Sequence, residues 1–489
     1  MDKYPVDKYL VDNKGVDRER AESHLRRIAE AELRHAVMAP PQVYSLAELK
    51  VARWTTRFAQ VAHALTAVGA VEKSTAIAIQ HDYEVALAVR QDSGRIQLSQ
   101  LVRMPSIRRK AARLITGTGQ GSGGSQAPRS GPSRVAPVGM MIPVRYEEVR
   151  GELYVLAYAH TPFGARFTIT AWLRGPVFGR PPHPPSIAGA LHMIVATDDK
   201  GSTYQLGYSG AGGLVEWAGE LFLRPEPPRD IRWLELTVGE TSRRIQLDQE
   251  AVAEYITVQT SAHSPGEHYL HGVAARILAS LPLFPDDIRR RHPEFRPVLP
   301  EHLANSLGHV IEALEVAGVL SPLSPVPGQL RTLCESGGIT GHGITATARA
   351  DLPDPWLSML TQFHRRKPDT ASPGEGCAGV AVTLPELDGV RLSVLGLHNG
   401  EDGTVIHVHA AGLPDIGTRE EDALPLLWIR DAEGRWHTTR RNVSGGRTGN
   451  GELSSRLEVI PPLNRSSWIE VLATGSSGEI RAGFPLHWR

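Results

Sequence analysis

Apolar residues recur with a helical period from Asp17 to Met38. Leu25, Ile28, Leu33, Ala36 and Val37 fall on one face, while Glu22 with Arg26 and Glu30 with Arg34 make i,i+4 ion pairs. This spacing predicts an amphipathic helix, ended by Pro40 and Pro41. Ser45 and Glu48 then read as a capping box for a second helix carrying Val51, Trp54, Phe58, Val61, Ala62 and Leu65 and closing at Gly69. A third helix follows, capped by Ser74 or Thr75, with Ala76, Ile79, Tyr83, Ala86 and Leu87 as its stripe.

Past residue 135 the period falls to two. The stretches 153–158, 167–172, 191–196, 221–223 and 233–238 read as strands, separated by turn residues such as Asp198, Asp199, Lys200 and Gly201. Short strands at this spacing predict an antiparallel sandwich of immunoglobulin-like type. From about Gln249 to Leu320 the helical period returns, with Tyr269, Val273, Ile277 and Leu281 on one face and Leu303, Leu307, Val310, Ile311 and Leu314 on another.

The two β-rich stretches resemble each other in order and spacing. GELYVLAYAH at 151–160 parallels GVRLSVLGLH at 389–398, and ARFTITAWL parallels TVIHVHAAGL. The turn Asp198–Gly201 parallels Asp431–Gly434, and the strand at Trp233 with Glu235 parallels that at Trp468 with Glu470. Ala64, Leu65 and Gly69 likewise match Ala313, Leu314 and Gly318. The expected fold is therefore α+β and multidomain, a tandem duplication of a helical segment followed by a β-sandwich. The expected layout is a tail and amphipathic helix (1–45, outside the repeat), helical segment 1 (46–115), a Gly/Ser/Pro linker (116–135), sandwich 1 (136–248), helical segment 2 (249–367), a second linker (368–376) and sandwich 2 (377–489). A period above 200 residues is a domain duplication and not a solenoid.

Composition narrows the function classes. Hydrophobic residues make up 41% and charged residues 22% of 489, so the chain can bury sizeable cores. Lys plus Arg equals Asp plus Glu at 53 each, which removes any global field for nucleic acid or an anionic membrane. The two cysteines, Cys334 and Cys377, form no CxxC pair, and the polar opening MDKYPVDKYLVDNKG lacks the apolar core of a secretory signal. A cytoplasmic setting without membrane contact is expected. The sequons at Asn442 and Asn464 carry no weight there.

No catalytic residue, metal ligand or cofactor is assigned. Gly119, Gly121 and Gly124 fit GxGxxG but sit inside the linker, without the strand and helix a dinucleotide needs. His263, His268 and His271 surround Glu267, where a solvated helix cap is preferred to a metal. His407 and His409 share a strand face whose counterparts in the first copy are Thr168 and Thr170, so that face is expected to be polar and solvent-directed. Glu235 and Glu470 are expected at outward strand positions, and the Gly-rich pieces GYSGAGG and SGGRTGNG in inter-strand loops. The helix, Gly69, helix order resembles a helix-turn-helix in outline, but the second helix contains Glu72, Asp82 and Glu84 and lacks the Arg, Lys and Asn that read base edges.

The best local electrostatic features are two basic clusters, Arg108, Arg109, Lys110 and Arg113, and Arg365, Arg366 and Lys367. They are candidate contacts for an anion or a partner. The leading expectation is a non-enzymatic adaptor that binds another protein through duplicated modules. Nucleic-acid or anionic-surface binding through the clusters, and an enzyme with an interdomain site, are the alternatives.

Overall fold

The computed structural model describes residues 16–38, 57–80, 82, 134–146, 149–161, 164–174, 194–212, 216–238, 241–247, 253–260, 263–280, 298–336, 349–365, 376–400, 403–413, 424–448 and 452–488. Within these the chain is mixed α and β, mostly β, with two large antiparallel curled sheets. It divides into two compact units, Met1–Gln126 with His263–Leu352, and Ala127–Ala262 with Pro353–Arg489.

The first unit is helical. Its helices are α1 (Arg18–Met38), α2 (Arg57–Ala67), α3 (Pro265–Ser280), α4 (Val298–Val316) and α5 (Val326–Ser336), with a further helical stretch at 73–80. The expected faces are buried in α1 at Leu25 and Ile28, in α2 at Phe58, Val61 and Leu65, with Ala62 only half-buried, and in α4 at Leu307, Val310, Ile311 and Leu314. Each such side chain removed from water contributes roughly 1.5–3 kcal/mol. Gly69 and Gly318 both stand at φ 70°, ending α2 and α4 in the left-handed conformation where a Cβ is unfavourable. The same separation of 249 residues joins Gly69 to Gly318, Leu65 to Leu314, Val61 to Val310 and Ile28 to Ile277. That last pair lies in α1 and α3. At the same separation Ala21 stands with Leu270 and Leu25 with Ala274, all four buried. The capping box at Ser45, the side chains of Leu33, Ala36 and Val37, and Tyr83, Ala86 and Leu87 lie outside the described residues.

The second unit holds both sheets and α6 (Asp354–Arg365). Sheet one uses β1 (Arg134–Tyr146), β2 (Val149–Thr161), β3 (Gly164–Arg174), β4 (Ile194–Asp198), β5 (Thr203–Gly212), β6 (Glu216–Arg224), β7 (Trp233–Val238) and β8 (Thr241–Gln246). Sheet two uses β9 (Tyr255–Thr260), β10 (Gly376–Thr383), β11 (Arg391–Gly400), β12 (Gly403–Ala411), β13 (Leu426–Asp431), β14 (Trp436–Thr448), β15 (Glu452–Ile460), β16 (Trp468–Thr474) and β17 (Gly478–Pro485). The order in sheet one is β1-β2-β3-β6-β5-β4-β7-β8, and in sheet two β10-β11-β12-β15-β14-β13-β16-β17-β9. The first eight strands of sheet two thus repeat the order of sheet one, and β9 is an addition at the far edge.

Strand pleating explains the two cores. In β7, Leu234, Leu236 and Val238 are buried and alternate with partly exposed residues. With Val155, Phe167, Ile169 and Leu221 they form the core cluster of sheet one. Ile406, Val408, Leu427, Ile429, Val459, Val471 and Phe484 do the same for sheet two. Register shifts fall at matching places, between Val155 and Ala157 against β3 and between Val394 and Gly396 against β12. From Leu153 with Leu392 to Ala171 with Ala410 the separation is a constant 239 residues, passing through Gly164 (φ 120°) and Gly403 (φ 132°).

Two expectations change here. The stretch from Gln249 contains β9, whose YITVQT is β-branched and uncharged and pairs antiparallel with β17, where the helical reading had continued. GYSGAGG and SGGRTGNG lie largely within β5 and β14, at the positions where each sheet's long strands pair, and not in loops. Gly inside a strand fits a bulge or a close backbone approach, and β14 has a register shift between Arg441 and Gly445.

Candidate functional site

The second unit offers two places where side chains gather, a buried polar seam between the sheets and the outer edge of β9.

The seam follows from the pleat. With Phe167 and Ile169 turned into the core of sheet one, Arg166, Thr168 and Thr170 must face the other way. With Ile406, Val408 and Ala410 in the core of sheet two, Val405, His407 and His409 face outward from it. These two outer faces meet. Tyr154 and Leu156 of β2 pack on Cys377 of β10, and Ala157 packs with Ala381 and Leu395. Arg166 donates from Nη2 to the ring of His409, 3.2 and 3.3 Å from its two nitrogens, and its Nε lies 3.4 Å from Glu220 Oε1.

This overturns the solvent-directed reading of the histidine face. His407 and His409 are 3% and 5% exposed, and Thr168 and Thr170 are buried as well, because both faces of these central strands are covered. Burial pushes His398 and His409 down to about 3, aided by Arg456 and Arg166 respectively, and holds His407 well below its ordinary range, aided by Arg456 and His398. All three are neutral at pH 7. Across each sheet Thr168 pairs with Glu220 and His407 with Arg456, so one structural position is acidic in sheet one and basic in sheet two.

The matching turns are built alike. Asp198 Oδ1 accepts the backbone N–H groups of Lys200 and Ser202, and Asp431 Oδ1 those of Glu433 and Arg435. Tyr204 donates to Asp198 at 2.5 Å where His437 donates to Asp431 at 3.4 Å. Burial raises Asp431, but hydrogen bonds from His437 and Arg435 outweigh it and hold the carboxyl at about 2. These carboxylates tie down turns.

At the other edge, Glu470 is 7% exposed and accepts a hydrogen bond from the Tyr255 hydroxyl, with Arg481 Nη1 4.0 Å away. The expected outward position fails for Glu470 because β9 covers it. Glu235, at the equivalent place in sheet one, keeps the surface position and pairs with Arg244 at 3.4 Å. Beyond Tyr255, β9 leaves Ile256 at 43% and Val258 at 59% exposed. They share the face of Ala482 and Ile480, so the core-facing side of sheet two runs out past its own cover.

The remaining candidates separate clearly. Arg108, Arg109, Lys110 and Arg113, and also Arg366 and Lys367, lie outside the described residues, as does the GxGxxG segment. Arg365 is the last residue of α6. Glu267 accepts the Ser264 N–H at 2.9 Å while its own N–H donates to Ser264 Oγ at 3.3 Å, a reciprocal helix cap. His263 sits 3.6 Å from Glu267 and 4.9 Å, centroid to centroid, from the His271 ring. Among the described residues no group of three His, Cys, Asp or Glu could hold a metal, and no helix is long and apolar enough to cross a membrane. Arg166, Glu220, His398, Arg456 and the β9 edge were not singled out from sequence. Arg166 and His398 lie in the stretches that keep the 239-residue register, whereas Glu220 and Arg456, the cross-strand partners of Thr168 and His407, stand outside it.

No family model matches the chain, and neither a curated protein nor a solved structure does.

Proposed function

We propose that this chain is a non-enzymatic protein-interaction module, a duplicated pair of helical and sandwich-like segments that binds another protein by strand addition at β9. The observation that carries this reading is the character of that edge. An exposed edge strand is normally blunted by charge, proline or cover. β8 carries Arg243 and Arg244, and β10 is buried along most of its length. β9 has no charge and no proline in six residues, and its Ile256 and Val258 are open. A partner strand laid there gains main-chain hydrogen bonds for affinity and alternate side chains for specificity. The two cysteines, both free and buried, suit a reducing, cytoplasmic setting.

The test is purification of the intact chain and of its Val258→Lys variant, identification of the proteins that accompany each, and titration of a recovered protein against both. Binding that is lost in Val258→Lys, and kept when Arg108, Arg109, Lys110, Arg113, Arg365, Arg366 and Lys367 become alanine, supports the reading. Equal binding by Val258→Lys overturns it. Loss with the seven alanines and a steep salt dependence would move the contact to the basic clusters.

A further inference from the structure

We propose that β9 is a displaceable strap: anchored at residues 253–255, it peels back from Thr260 and uncovers the edge of β17 for an extended segment of similar sequence. This concerns the inner side of β9 and stands whether or not a partner docks along its outer edge.

Sheet two does not need β9 to complete its strand order. Its other eight strands follow the order of the eight in sheet one, which among the described residues has no ninth. All six residues of β9 are exposed, so its removal forfeits little apolar burial. A segment with few buried contacts opens at a free energy well below that of the unit it belongs to.

The anchors lie at one end. Ala253 packs on the core of sheet two. The Glu254 N–H donates to the Gly483 carbonyl at 2.8 Å, and the Glu254 carboxylate accepts the Trp468 indole N–H at 2.8 Å. The Tyr255 hydroxyl donates to Glu470, and its ring lies over Gly483, where a Cβ would stand 2.5 Å from Tyr255 Cε1. From Ile256 to Thr260 the hold that remains is main-chain pairing with Ala482 to Gly478; among the described residues no side chain of that stretch makes a hydrogen bond or ion pair. Opening therefore starts at Thr260 and hinges at Tyr255. Peeling bares the β17 main chain from Gly478 to Ala482, and β9 itself defines what fits there, an extended, uncharged, β-branched segment paired antiparallel. The tethered strap competes at high effective concentration, so a free segment gains the edge only as far as the strap is loosened.

Amide hydrogen exchange of the full chain reads the opening directly. The amides that β9 and β17 donate to each other should exchange at least about tenfold faster than those shared by β13 and β16, and Tyr255→Phe, which loosens the hinge anchor, should speed them further. Gln259→Cys with Glu479→Cys joins two directly opposite residues at the peeling end. Once oxidised, this variant should slow the same amides toward the rate of β16, and reduction should restore them. A labelled peptide of residues 254–261, EYITVQTS, should bind Tyr255→Phe more tightly than wild type and fail to bind the oxidised variant. Equal exchange of the two sets of amides in wild type overturns the strap. A peptide that binds none of the three chains overturns it as well. So does one that binds the oxidised variant as tightly as Tyr255→Phe; that result places the peptide on the outer edge of β9 and leaves the docking edge standing.

Discussion

The guanidinium of Arg166 reaches from sheet one to the imidazole of His409 in sheet two, 3.2 and 3.3 Å from its two nitrogens, while Glu220 holds its other side. A permanent cation against a histidine ring works only if the ring stays uncharged.

Acid should therefore open this unit. His398, His407 and His409 have folded pKa values below the ordinary 6.5, so beneath that pH the unfolded chain takes up protons that the folded chain refuses. The stability they confer is present above pH 6.5 and falls as pH drops toward about 3, by about 1.4 kcal/mol per pH unit for each group. Urea midpoints between pH 7 and 4.5 measure this. Replacing His407 and His409 by threonine, the residues found at 168 and 170, should flatten the slope; an unchanged slope places the acid sensitivity elsewhere.

Removing Arg166 alone should cost more than removing its pair. Arg166→Leu leaves Glu220, which is mostly covered, without its cation and is expected to cost about 3 kcal/mol. Arg166→Leu with Glu220→Leu should recover more than half of that. Denaturation of the two variants and wild type checks it, and additive losses would show that the pair does not act as a unit.

Two glycines of one helix should respond oppositely to alanine. A Cβ at Gly266 would lie 2.8 Å from the Val319 carbonyl oxygen and 2.9 Å from Leu320 Cβ, whereas one at Gly272 meets nothing within 4 Å. Gly266→Ala should destabilise by about 1–3 kcal/mol, and Gly272→Ala should stabilise by up to about 1 kcal/mol through helix propensity. Thermal unfolding of each variant reads the difference in sign.

The paired turns should differ in depth. Asp431→Ala strips acceptors from two backbone N–H groups, Arg435 and His437, and should cost about 3 kcal/mol. Tyr204→Phe removes one hydrogen bond to Asp198 and should cost about 1 kcal/mol. A larger loss from Tyr204→Phe would mean that the first turn depends on its phenol more than on its backbone contacts.

Period and turn chemistry made α1 to α4 and strands such as β2, β3, β7, β11 and β12 legible in the sequence. Trp233–Val238 needs only its alternation, and Gly69 only its place after an apolar face. The histidines went astray because alternation reports which residues share a face and not what lies against that face. Thr168 and Thr170 read as solvent-facing for the same reason, and they are covered by a second sheet whose presence no local pattern encodes. β9 was missed because six residues next to a helical stretch carry too little pattern to outweigh it, and their partner strand lies more than two hundred residues away.

That distance sets an order of events during synthesis. Tyr255 to Thr260 leave the ribosome long before Gly478 to Gly483, the residues they pair with, and at 5–20 residues per second the gap is roughly ten to forty-five seconds. Through that interval an uncharged, β-branched segment lacks β17, the strand it pairs with. For that time its open edge is exposed to any other strand, the hazard that pairing across a long stretch of chain carries during folding.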